Sequence, residues 1–149
     1  LQALILTEEG SERMLLTPTY HIFEMYKVHQ DATLLPLDLR CDDYTCGDLT
    51  MAGLSASASR DKAGVVHVSL CNVNPNETAE LLCEVRGIQF NSVQGRVLTA
   101  DQMNAHNTFD APEQVRPTEF EGATVEGNRL KLTLPAKSVV VLALGTGEA

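Results

Sequence analysis

The apolar residues of this chain follow three different spacings, and each predicts a different element. Leu1 to Thr7, "LQALILT", is a short apolar run. Such a run suits a strand buried on both faces of a parallel sheet. After the polar turn "EEGSER" with Gly10, Ile22, Phe23 and Tyr26 recur at helical spacing within "LLTPTYHIFEMYKVHQ" and define one apolar face. The helix has a clear start. Thr17 can cap the first free amides, and Pro18 takes the first helical position, where a missing N–H costs little. Asp31 ends the periodic pattern.

From residue 34 onward the period becomes two. "TLLPLDLR" alternates Leu35, Leu37 and Leu39 against polar or turn residues, and Pro36 favours the edge of a sheet. "CDDYTCGDLT" is expected to be a loop. "MAGLSASASR" alternates Leu54, Ala56 and Ala58 with serines. "AGVVHVSLCNV", the turn "NPNET" and "AELLCEV" have the composition of a hairpin. With Val66, Val68, Leu70, Leu81, Cys83 and Val85 inward, Cys71 and Cys83 would lie on opposite faces, out of bonding reach. "QGRVLTA" is a further strand. Leu130, Leu132 and Leu134 alternate after the turn "EGNR", and "KSVVVLALG" returns as a buried strand of the final hairpin. About seven or eight short strands without a helix imply an antiparallel sandwich or jelly roll. A lone β/α unit cannot make a domain, because its strand needs parallel neighbours from a larger sheet. The expectation is a mainly β chain: residues 1–32 are the tail of a (β/α) barrel and residues 33–149 are the sandwich.

Composition narrows the partners. A 149-residue domain can bury about 68–70% of its unfolded surface, enough for a core without staples. The formal net charge of -9, with the basic residues scattered, argues against nucleic acid and anionic membranes. No apolar run approaches the roughly 20 residues of a membrane helix, and "LQALIL" lacks the basic flank of a signal peptide. Opening mid-pattern on Leu1 suggests a piece of a longer protein. Cys41, Cys46, Cys71 and Cys83 are compatible with free thiols, with disulfides in an exported protein, or with a metal. They leave bacterial cytoplasm, periplasm and secretion all open.

Several groups invite a chemical reading, and each has a plainer one. Glu8 and Glu9 follow the first strand, where barrel enzymes place functional groups, but they are expected to be a solvated loop. Gln2 lies within the strand and is expected to pack or bond to backbone. His21 and His29 are eight residues apart, not the four of a zinc pair, and suit an interface or a surface pair. His67 is a face residue of its strand. Asp38, Asp42, Asp43 and Asp48 do not match the spacing of a calcium loop. Asn76 opens a formal glycosylation sequon, meaningful only in a eukaryotic secretory route. In "MNAHNTFDAP", His106 with Asp101 or Asp110 would make a base and its orienter, yet neither Ser92 nor Thr108 stands out as a nucleophile. Asn104, Asn107, Thr108 and Asp110 are residues that bond their own backbone. The stretch is expected to be a rigid structural loop that touches a barrel or a neighbouring subunit.

Three long segments carry a resemblance. "LTPTYHIFEMYKVHQDA" resembles the last barrel helix of glycoside hydrolase family 51 α-L-arabinofuranosidases. "LTADQMNAHNTFDAPEQVRP" resembles the loop of their C-terminal domain, and "LTLPAKSVVVLAL" their final strand. The resemblance implies a (β/α)8 barrel joined to a β-sandwich, and retaining removal of terminal α-L-arabinofuranosyl groups from arabinose-containing polysaccharides. Two glutamates about 5–5.5 Å apart perform that chemistry. Their motifs do not occur here, so no residue is assigned as catalytic, substrate-binding or metal-binding, and no cofactor is called for. The implied partner is the missing catalytic barrel, in the same or another chain, with a homo-oligomer in the parent enzyme. The rival reading is a free carbohydrate-binding module, against which stand the absence of Trp and the few Tyr and Phe. A third is an assembly domain. The fate of Leu1–Leu6, Ile22, Phe23, Tyr26 and Val28 separates them: exposed, they require a partner; otherwise the segment folds back over the sandwich.

Overall fold

The computed structural model describes residues 3–145. Leu1 and Gln2, where the predicted first strand begins, lie outside the described residues. Strand β1 (Ile5–Thr7) turns at Gly10, whose φ is +76°, and pairs antiparallel with β2 (Met14–Leu16). This departs from the buried parallel strand expected for Leu1 to Thr7. Among the described residues β1 pairs only with β2, and Leu4, Ile5 and Leu6 stay exposed.

Helix α1 (Pro18–Tyr26) starts where the sequence places it. The Tyr20 amide donates to the Thr17 hydroxyl oxygen at 3.4 Å, and that hydroxyl in turn donates to the Ala3 carbonyl at 2.8 Å. One cap thereby fixes both the helix and the start of the hairpin. A 3-10 turn, Lys27–His29, follows, and Asp31 takes a left-handed conformation with φ +56° that ends the segment. The apolar face of α1 is Ile22, Met25 and Tyr26, continued by Val28; Phe23 points away and remains 65% exposed. Residues 22, 25 and 26 are i, i+3 and i+4 neighbours, whereas 23 lies round the cylinder from 22.

Among the described residues eleven strands come after residue 32. They are β3 (Thr33–Leu35), β4 (Asp43–Cys46), β5 (Leu49–Ala52), β6 (Leu54–Arg60), β7 (Val66–Asn72), β8 (Ala79–Glu84), β9 (Ser92–Leu98), β10 (Thr118–Glu119), β11 (Ala123–Glu126), β12 (Arg129–Leu134) and β13 (Ser138–Gly145). The larger count reflects short elements such as β10 and the β4–β5 hairpin, which forms inside the stretch expected to be a loop. A six-stranded sheet runs β10-β9-β13-β7-β6-β3, and a three-stranded sheet runs β11-β12-β8. All pairings are antiparallel, so the molecule is the expected mainly β sandwich. Edge placement of β3, ending before Pro36, also agrees with expectation, although Leu37 is exposed.

Two predicted hairpins are corrected. Strands β7 and β8 do not pair: β7 belongs to the large sheet and β8 to the small one. Likewise β12 pairs with β11 and β8, while β13 crosses to the large sheet. Asn72 ties the two crossings together. Its side-chain amide donates to the carbonyls of Glu77 and Pro135, both at 2.9 Å, and its oxygen accepts from the Asn74 amide. Turn composition announces that the chain reverses, but not which sheet receives it.

Between the sheets lie Leu130, Leu132 and Leu134 of β12 against Val140, Leu142 and Leu144 of β13, with Val66, Val68 and Leu70 beside them. Leu81, Cys83 and Val85 pack at the margin of this core, as the alternation requires. Strand β13 is apolar on both faces because α1 covers its outer side, where Met25 meets Leu98, Val115 and Val141. The N-terminal segment is therefore a third layer on the sandwich.

Candidate functional site

The stretch Met103 to Pro112 is a clamp built round one buried side chain. Asn107, 6% exposed, accepts from the Val115 amide at 2.7 Å through Oδ1. Its Nδ2 donates to the Val115 and Leu16 carbonyls, each at 2.9 Å. All of its amide chemistry is spent on backbone, and one bond reaches β2, far away in sequence. Thr108 and Ala111 close a two-way backbone bridge, to which the Thr108 hydroxyl adds a bond from the Ala111 amide. Arg13, from the β1–β2 hairpin, lies 5.4 Å over the Phe109 ring and 3.7 Å from Asp110.

His106 is exposed and shares its Nδ1 with the Asn104 carbonyl at 3.0 Å. No bond joins it to the exposed Asp101 or Asp110, and the Ser92 hydroxyl turns to the Gly145 carbonyl. The geometry binds a loop to a hairpin and holds no nucleophile beside a base. Asn107 belongs to a residue class that the sequence marks as turn-forming; its distant partner Leu16 has no local signal.

The other candidates are dispersed. Glu8 forms a two-pronged ion pair with Arg13, Nε to Oε2 at 2.7 Å, and that guanidinium holds its carboxyl below the ordinary range. Glu9 is exposed. His21 packs edge-on to Tyr20, and burial pushes its imidazole pKa down. His29 does not join it but reaches Ser59, its Nδ1 lying 2.6 Å from Oγ. His67 faces outward from the large sheet yet is only 9% exposed, with Nε2 on Asp61 Oδ2 at 3.0 Å. Asp38 pairs loosely with Arg40, while Asp42, Asp43 and Asp48 are exposed on or near the β4–β5 hairpin. Among the described residues no three potential ligands gather as a metal site. All four cysteines are free thiols, and burial raises the pKa of both Cys71 and Cys83. Asn76 is exposed at the corner between β7 and β8. No described helix is long and apolar enough to cross a membrane.

A groove of about 530 Å³ runs between α1 and the outer face of the large sheet. Glu24 dominates its mouth, bonding Arg96 at 2.6 Å and Lys27 at 3.1 Å. These charges are mutually satisfied. They bind the third layer to the sheet.

Comparison with known proteins gives the arrangement its context. The family model for the α-L-arabinofuranosidase C-terminal domain matches residues 1–138. An intracellular exo-α-L-arabinofuranosidase from Bacteroides ovatus is 42% identical over 145 residues, 97% of this chain and 28% of that protein. The crystal structure of the family 51 arabinofuranosidase from Xanthomonas axonopodis pv. citri superposes with a TM-score of 0.94 at 41% identity, covering 97% of this chain and 29% of that one. A family 51 enzyme from Bifidobacterium longum shares the fold, with a TM-score of 0.85 at 20% identity, over 96% of this chain and 28% of that one. The chain thus spans less than a third of the length of each of these proteins. Its sandwich, its helical layer and nearly its whole sequence match one C-terminal region, and the chain belongs to the α-L-arabinofuranosidase C-terminal domain family.

Proposed function

We propose that this chain serves a family 51 α-L-arabinofuranosidase as its non-catalytic C-terminal region, with residues 1–32 completing a catalytic barrel and residues 33–149 bracing it. The supporting observation is an apolar strip on the N-terminal segment. Leu4, Ile5, Leu6, Met14 and Phe23 are between 37% and 65% exposed. Ile5 and Met14 lie on the hairpin face opposite the buried Leu15, and Leu6 shares the face of Leu15 yet stays exposed. Among the described residues β1 pairs only with β2, which leaves its other edge open. A barrel strand and barrel wall would cover this strip and satisfy that edge. The catalytic pair of glutamates would come from the barrel, and the substrate, a terminal α-L-arabinofuranosyl group, would be held there.

The carbohydrate-module reading gains no support from the aromatic residues. Phe90 and Phe120 are buried, Tyr20, Tyr26, Tyr44 and Phe109 are half-covered, and Phe23 alone is exposed, within the apolar strip. Self-assembly of the parent enzyme is a further part of the proposal. Its support is the β4–β5 hairpin, which presents Leu49 and Met51 to solvent at 70% and 53% exposure.

The test is hydrolysis of an aryl α-L-arabinofuranoside. The 149-residue chain, verified by intact mass, is expected to give no turnover alone. Co-expressed with the Bacteroides ovatus relative lacking its own matching region, it is expected to associate and restore turnover. Leu6→Ser with Phe23→Ser should abolish that association while leaving the chain folded. Turnover by the chain alone would overturn the reading.

A further inference from the structure

The 3-10 turn Lys27–His29 meets the outer face of the large sheet through two imidazoles. Ser59 of β6 and His67 of β7 are directly opposed cross-strand partners, so their side chains stand together on that face. His29 descends on this pair and bonds Ser59 Oγ through Nδ1 at 2.6 Å. Asp61 fixes His67 from the other side, its Oδ2 accepting from Nε2 at 3.0 Å. Each ring then has one nitrogen left, His29 Nε2 and His67 Nδ1. Both are buried and without a hydrogen-bond partner.

We propose that these two imidazoles form a proton-sensitive latch, which holds the N-terminal segment on the sandwich while His29 is neutral and loosens it when His29 takes up a proton. A neutral imidazole needs one donor bond and tolerates a bare lone pair. An imidazolium carries N–H on both nitrogens, and a buried N–H without an acceptor is costly. A charge on His67 would at least sit beside Asp61. A charge on His29 has the Ser59 hydroxyl and the Tyr26 ring, whose centroid lies 5.6 Å from its own.

The surrounding charges are committed elsewhere. Asp61 also accepts from the amides of Ala63 and Val65 through Oδ1. On the helix, Glu24 serves Lys27 and Arg96. Beyond the turn Asp31 lies 3.6 Å from Lys62 at the exposed rim, and Arg60 on β6 and Glu119 on β10 are exposed. Burial, and then the neighbouring His67, push the His29 pKa below its ordinary value. For a base whose folded pKa is depressed, the unfolded or undocked state binds the proton more tightly. Docking is complete above the ordinary histidine value of about 6.5 and is lost as pH falls from there through the folded pKa.

The experiment is done on the full chain. Amide exchange is followed from pH 8 to 5 at Gln30 and Ala32, whose N–H groups bond the Lys27 and His29 carbonyls. In parallel, imidazole resonances are titrated by NMR. After correction for intrinsic rates, exchange at these two amides is expected to quicken on acidification. The acceleration approaches about tenfold for each unit by which the folded pKa of His29 lies below the undocked one. Amides of Leu130–Leu134 in the inter-sheet core should not follow. His29→Asn, which keeps a polar atom against Ser59 but cannot titrate, should remove the pH dependence. If that variant fails to fold, the wild-type titration decides alone. A His29 pKa at or above the ordinary value, or exchange at Gln30 and Ala32 that does not change with pH, would overturn the latch.

Discussion

At the scale of single residues, adjacent positions in "AHNT" carry opposite burdens. His106 looks like the chemical residue, but it is exposed and bonded only to a carbonyl two residues away. Asn107 looks like a turn residue and is the buried centre of the clamp, holding Val115 and Leu16 through three bonds. Truncating it leaves the Leu16 and Val115 carbonyls and the Val115 amide without this partner in a largely buried site. Each unsatisfied buried group costs about 1–3 kcal/mol, with partial relief as the loop relaxes. Asn107→Ala is therefore expected to destabilise the chain by about 2–4 kcal/mol in urea denaturation, without a change in m-value. His106→Ala should stay within about 0.5 kcal/mol of wild type. Equal losses at the two positions would contradict the clamp. The sequence showed the kind of residue Asn107 is, since its side-chain chemistry is local. Which backbone it would meet depends on tertiary structure, so Leu16 was not legible.

Among the elements, legibility followed how each strand is buried. Strand β12 alternates cleanly because one face meets the core and the other meets water, and Leu130, Leu132 and Leu134 were found by period alone. Strand β13 was recognised as buried, but its reason, a helix on the outer face, involves residues more than a hundred positions earlier. Met25 was missed on α1 because the larger Phe23 competes for the same reading of the helical face. The β4–β5 hairpin was missed because a polar stretch with exposed strands has no hydrophobic pattern to announce it. Its junction with β6 is set by Gly53, where the strand stops pairing with β4 and starts pairing with β7. The Gly53 amide donates to the Asp42 carbonyl at 2.9 Å, and a Cβ there would stand 2.7 Å from that oxygen. The obstacle is backbone on both sides, so it cannot rotate away. Gly53→Ala is expected to cost about 1–3 kcal/mol, the range for overpacking a fitted site. Thermal unfolding checks it; a neutral substitution would mean that the junction bends freely.

For the whole molecule, the two apolar clusters differ in size, and that difference sets the order in which the chain opens. The inter-sheet core draws on β6, β7, β9, β12 and β13, whereas the helical layer rests on Met25 against Leu98, Val115 and Val141. The smaller cluster is reinforced by Glu24–Arg96, a pair near the surface and so worth little in salt. The N-terminal layer should therefore open as a unit below the free energy of global unfolding. Met25→Ala deletes the one fully covered helix side chain, a change that typically costs about 2–5 kcal/mol. Hydrogen exchange should show that loss in the amides of α1, while amides of β12 and β13 keep most of their protection. A variant that weakens both sets equally would mean that helix and sandwich unfold as one. Unequal loss would give the layer an independent docking equilibrium, on which the proposed barrel contact at Leu4, Ile5, Leu6 and Phe23 would act. A partner that binds those residues only while the hairpin and α1 are folded would raise the protection of α1 without touching the inter-sheet core.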